Sequence, residues 1–142
     1  MANIREVKYK KVLFGNLPYN SDLLKEITSF CKKNNIRLGK IEAIGALKKA
    51  NIGFFDQSKK KYCSNEFDKA FEIINLTGNI SIKDGEPFIH AHITLADENG
   101  KAFGGHLLEG NIVFACELII HVFDGDDFVR KPDKDTGVFL WE

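Results

Sequence analysis

The chain is short of the features that would assign it to most functional classes. Nowhere do about 18 apolar residues run together, and the opening MANIREVKYKK lacks the apolar stretch of a secretory leader. No membrane association and a cytoplasmic location are therefore expected. Cysteine is scarce and unpaired: Cys31, Cys63 and Cys116 are widely spaced and form no C-x-x-C pair. That argues against a disulfide framework and against a cysteine zinc site, and leaves reduced, mostly buried thiols. Neither sign of charge is in excess, since twenty Lys plus Arg face twenty Asp plus Glu. No bulk field draws such a protein to nucleic acid or anionic lipid. There is no G-x-G-x-x-G fingerprint, no Walker loop and no G-x-S-x-G elbow, and Asp124, Asp126 and Asp127 miss the EF-hand spacing.

What is present is enough apolar material, 44% of 142 residues, to bury one sizeable core, so a single domain over 1–142 is expected. Residues 7–15 read as a first strand. After the turn at Leu17 to Asn20 comes an amphipathic helix with Asn20 or Ser21 as its cap and Asp22 in its first turn. Leu23, Leu24, Ile27, Phe30 and Cys31 mark its apolar face, and Lys32 and Lys33 lie near its C-terminal carbonyls. Strand patterns follow at about 40–48, 50–56, 60–66, 70–83, 87–96, 102–108 and 112–123. Hairpin tips are expected at residues 56–58 and at 97–100, where Asp, Asn and Gly suit tight turns. The run Lys59, Lys60, Lys61 reads as a solvated tip. The polar stretch 124–137 reads as a loop, and the apolar residues 138–141 as a docked terminal strand. One strong helix followed by many strands favours an α+β fold over a doubly wound sheet.

The informative segment is GEPFIHAHITL, residues 85–95, in which Ile89, Ala91, Ile93 and Leu95 alternate with Phe88, His90, His92 and Thr94. Period two places both histidines on one strand face, where their imidazoles can lean toward one ion. If residues 87–96 and 102–108 pair across the turn at 97–100, His106 comes beside them, and Gly104 and Gly105 leave room for the backbone. The composite H-x-H…G-G-H supplies three nitrogen donors suited to zinc or another first-row divalent transition metal, with a coordination position left open. Glu86, Asp97 or Glu109 could add a ligand or an outer hydrogen-bond acceptor. His121 reads as a packed or edge residue, Cys116 as core, and Glu72 and Glu117 as residues of the less buried strand face.

Residues 41–47 (IEAIGAL), 71–81 (FEIINLTGNIS), 85–97 (GEPFIHAHITLAD) and 104–120 (GGHLLEGNIVFACELII), together with the ending TGVFLW, resemble the plant and prokaryote conserved (PPC) domain. The resemblance implies a central, largely antiparallel sheet flanked by one main helix, assembled as a homotrimer. It also implies a bound metal at positions 90, 92 and 106, as in prokaryotic stand-alone members. Plant relatives carry an AT-hook before the domain. Here Arg5, Arg37 and Arg130 are far apart and form no such element, so DNA binding by that route is not expected. Three functions stay open at this point. One is a metal-binding interaction or regulatory module that engages a protein partner or a small molecule at the metal. The second is a small zinc-dependent hydrolase or lyase aided by Glu86 or Glu109, and the third is a DNA-binding regulator that uses Lys48, Lys49 and the 59–61 run as a basic patch.

Overall fold

A computed structural model describes residues 2–142. The first strand, β1 (Lys8–Asn16), is followed by the helix α1 (Leu23–Lys33). Asp22 caps this helix, its Oδ1 accepting the Lys25 backbone N–H at 3.1 Å. Ser21 is used instead to accept the Val113 N–H through its backbone carbonyl, which moves the cap one residue past the expected Asn20 or Ser21. Leu23, Ile27 and Cys31 recur at i, i+4 and i+8 and are fully buried, whereas Phe30 is 41% exposed. The apolar stripe is therefore narrower than the residue types alone suggest. Each buried Leu or Ile contributes roughly 1.5–3 kcal/mol.

The remaining chain is strand: β2 (Gly39–Asp56), β3 (Lys61–Phe67), β4 (Phe71–Lys83), β5 (Glu86–Ala96), β6 (Ala102–Leu107), β7 (Ile112–Asp124), β8 (Arg130–Pro132) and β9 (Phe139–Trp141). The first seven strands form one antiparallel sheet in the order β1-β7-β2-β4-β5-β6, with β3 attached to β2. This is the α+β class expected from the sequence. The segments 40–48 and 50–56 are one strand rather than two. Register shifts between Ala43 and Gly45 and between Leu47 and Lys49 bend it, so its first half lies between β7 and β4 while its second half pairs with β3. Ile52 and Gly53 also pair with Leu107 and His106, so β6 returns to β2 and closes the far side of the sheet. Gly105 permits that closure, because a side chain there would meet the Gly53 carbonyl oxygen at 2.6 Å.

The core lies between α1 and one face of the sheet, where Ile41, Leu47, Leu76, Ile93, Leu95 and Val113 are all fully buried. On the opposite face, register aligns Val12 with His121, Phe14 with Ile119 and Ile44 with Glu117. Val12, Phe14 and Ile44 are exposed there, with Ile74 and Phe114 exposed beside the bulges. Among the described residues no helix is long and apolar enough to cross a membrane.

Candidate metal centre

Strand β5 alternates as its sequence requires. Ile89, Ala91, Ile93 and Leu95 point into the core, which turns His90 and His92 to the outer face. The turn after β5 is held by Asp97, whose Oδ1 accepts the N–H groups of Asn99 and Lys101 at 2.9 and 3.0 Å, and by Gly100 at φ 75°. That turn sets His106 directly opposite His92 in the β5–β6 register. The three imidazoles converge, with ring centroids 5.1 Å apart for His90 and His106, 5.2 Å for His90 and His92, and 5.7 Å for His92 and His106. One ring nitrogen from each lies within 4.8 Å of the other two. His106 is also stacked on Tyr62 at 4.5 Å, which fixes its ring plane.

The environment keeps the rings of His90 and His106 neutral. Burial, then the charge of Arg130, then His92, push His90 down to about 4. Burial, followed by His90, His92 and Arg130, does the same to His106. A neutral imidazole is the form that donates a lone pair to a metal. The Nδ1 of His106 is buried and has no hydrogen-bond partner, a condition a native structure rarely leaves unexplained. The residues present therefore fit a divalent ion: three nitrogen donors, two of them held neutral, with one buried ring nitrogen unsatisfied.

The carboxylates named with the triad are elsewhere. Glu109 faces Lys25 at 3.2 Å, and Glu86 sits exposed at the start of β5. Neither hydrogen-bonds a histidine among the described residues. His121 is occupied by Glu42, with Nε2 2.8 Å from the carboxylate, and by the Tyr9 hydroxyl. Cys31 and Cys116 are buried and Cys63 is exposed.

A cavity of about 530 Å³ adjoins the triad and is lined in part by His90 and His106. Its floor is the outer face of β4 and β5, its side is the β2–β3 hairpin, and its roof is the C-terminal strap formed by β8 and β9. Two features of these walls escaped the sequence reading. Lys60 and Lys61 line the cavity instead of forming only a solvated tip, and Arg130, read as part of a loop, opens the strap at the start of β8 and is 8% exposed. Arg130 donates from Nε to Ser81 Oγ at 2.8 Å, from one terminal nitrogen to Asn79 Oδ1 at 2.8 Å, and from the other to the Phe139 carbonyl at 3.1 Å.

A family model described as the Plants and Prokaryotes Conserved (PCC) domain matches residues 4–124. A metal-containing protein from Archaeoglobus fulgidus has a TM-score of 0.94 and 38% identity to this chain, with 99% of each chain covered. A plant- and prokaryote-conserved (PPC) protein from Pyrococcus horikoshii has a TM-score of 0.93 and 40% identity, covering 99% of this chain and 97% of that one. A conjectural DNA-binding protein from Bacteroides thetaiotaomicron follows at 0.86 and 29%, with 96% of each chain covered. Among curated proteins, the bifunctional protein GlmU of a Synechococcus species is 30% identical over 118 residues, which are 82% of this chain but 18% of that protein.

Proposed function

This chain belongs to the Plants and Prokaryotes Conserved (PCC) domain family, and on that premise we propose that it is a metal-binding domain whose centre takes a ligand from the adjoining cavity. His90, His92 and His106 hold one first-row divalent ion, zinc first, because neutral imidazoles suit borderline metals better than calcium or magnesium. The observation that carries this reading is the buried, unpartnered His106 nitrogen within a convergent triad. The metal-containing relative from Archaeoglobus fulgidus supports it. When bound, such an ion supplies a Lewis acid and acidifies a water at its remaining position. His92 faces solvent while His90 and His106 border the cavity, so a ligand seated there meets the centre from the cavity side.

Elemental analysis of untagged protein is the test, with about one transition ion per chain expected. Replacing His90 and His92 together by Ala should abolish uptake and leave the core intact, since Ile89, Ala91 and Ile93 pack on the other strand face. No transition metal after incubation and dialysis refutes the reading.

A hydrolase or lyase gains from the cavity but lacks the expected base, because no carboxylate lines the cavity among the described residues and Glu86 and Glu109 lie elsewhere. The binding role therefore ranks first, with residues 1–142 acting as one unit. We further propose a homotrimer, supported by the exposed apolar face carrying Phe14 (81% exposed), Ile44 and Phe114, which is costly to leave in water.

A further inference from the structure

Four cationic side chains, Lys60, Lys61, Lys83 and Arg130, border the cavity, and among the described residues no acid does. In a chain whose formal net charge is zero this is a strong local imbalance. Some basic groups elsewhere pair with carboxylates, as Lys25, Arg37, Lys49 and Lys69 do. The four cavity cations are in none of the ion pairs. Arg130 is the decisive one. All three of its acceptors are neutral, and a guanidinium has five N–H groups, so donors remain after Ser81, Asn79 and Phe139 are served. A buried charge without a counter-charge is expensive, and proteins retain one where an anion completes it.

Beyond Asn79 and the two histidines, the rest of the wall is largely aromatic and aliphatic. Phe88 and Trp141 flank the guanidinium, with ring centroids 5.4 and 5.1 Å from Arg130 Cζ, and Phe139 lies 3.8 Å from the Lys83 ammonium. Tyr62 and Phe55 form the opposite side. A volume of about 530 Å³ falls within the usual range for small-molecule sites, about 300–1,000 Å³.

We infer that the cavity binds a small organic oxyanion, a carboxylate or phosphate-type head on a planar apolar body. The head lies toward Arg130, Lys83 and the histidine centre, and the body lies between the aromatic walls. This inference rests on the proposed metal centre for the placement of the head, while Arg130 and the lysines supply an anion site of their own. The family match ends at residue 124, whereas Arg130 and the roof come after it.

Trp141 is the only tryptophan in the chain, so its fluorescence reports on the cavity directly. Phenylacetate, phenylphosphonate, neutral phenylacetamide and methylphosphonate are titrated into protein with its metal and into protein stripped by chelator. Saturable change at or below about 1 mM is expected for the two aryl anions, with the amide and methylphosphonate at least about tenfold weaker. R130Q should weaken the aryl anions by about tenfold or more. K83Q, at a partly exposed position that needs no refolding of the strap, should weaken them in the same direction. The relative strength of carboxylate and phosphonate identifies the preferred head. Aryl-anion binding that survives stripping upholds the anion site even if the chain takes up no metal. Metal uptake without any aryl-anion response overturns this inference alone, and so does an amide bound as tightly as the carboxylate.

Discussion

Removing one imidazole from the triad separates metal binding from folding, because His92 is the exposed member and is hydrogen-bonded to nothing among the described residues. Its replacement by Ala should change the stability of metal-free protein by no more than about 0.5 kcal/mol, the usual range for surface sites. The effect on the loaded protein is larger. An ion present at 100 times its dissociation constant stabilises the native state by about 2.7 kcal/mol. If loss of one of three donors weakens binding by about 100-fold, the same concentration gives only about 0.4 kcal/mol, from RT ln 2. For 142 residues at about 2.1 cal/mol/K each, the unfolding entropy is about 0.3 kcal/mol/K. The wild type should therefore gain about 9 °C in Tm on adding zinc, and H92A about 1 °C. Differential scanning calorimetry with zinc, cobalt and nickel measures both. An equal metal-induced shift in H92A and wild type would refute the assignment of His92, and a wild type indifferent to all three metals would refute the centre.

Three further expectations are independent of the metal. Burial pushes the Cys31 thiol up to about 12 and Cys116 to about 11, so their thiolate fractions fall by about a thousandfold and a hundredfold; native iodoacetamide labelling read by mass spectrometry should modify Cys63 alone. Arg37 holds the Asp127 carboxyl below its usual range. The stabilisation is complete above the unfolded value of about 3.9 and is lost as pH falls from there through the lower folded value, so D127N should flatten the acid limb of urea midpoints below about pH 4, and an unchanged limb would remove the pair from the account. Duplex rich in A·T should bind no better than mixed sequence, at about 10⁻⁴ to 10⁻⁶ M near physiological salt, because the chain has no arginine element for the minor groove; a sub-micromolar preference for A·T measured by anisotropy would restore the DNA-binding reading.

Where local pattern decided the structure, the sequence was readable. Period two alone placed His90 and His92 together, and the Asp97 to Gly100 turn brought His106 across, because a hairpin joins residues near in sequence. The helix was visible from Leu23, Ile27 and Cys31 for the same reason. What escaped notice depended on distance. Arg130 takes its meaning from Ser81 and Asn79, 49 and 51 residues away, and no spacing rule links them. Lys60 and Lys61 looked like any charged hairpin tip, and only the fold shows that Lys60 reaches the Lys134 carbonyl, 74 residues away. The two segments of β2 looked separate because its bulges shift the register and break the alternation on which strand reading relies.

The closure of β6 onto β2 also sets an order of assembly during synthesis. Strands β4, β5 and β6 form a meander whose neighbours in space are neighbours in sequence, so the histidine cluster can come together as soon as residue 107 is free of the ribosome. β1 and the first half of β2 must wait for β7, which ends at Asp124, before their edges are covered. Long-range pairing of this kind is slow, and it leaves strand edges open to intermolecular contact in the interval. The nascent chain thus completes the histidine cluster before the frame on which that cluster is mounted.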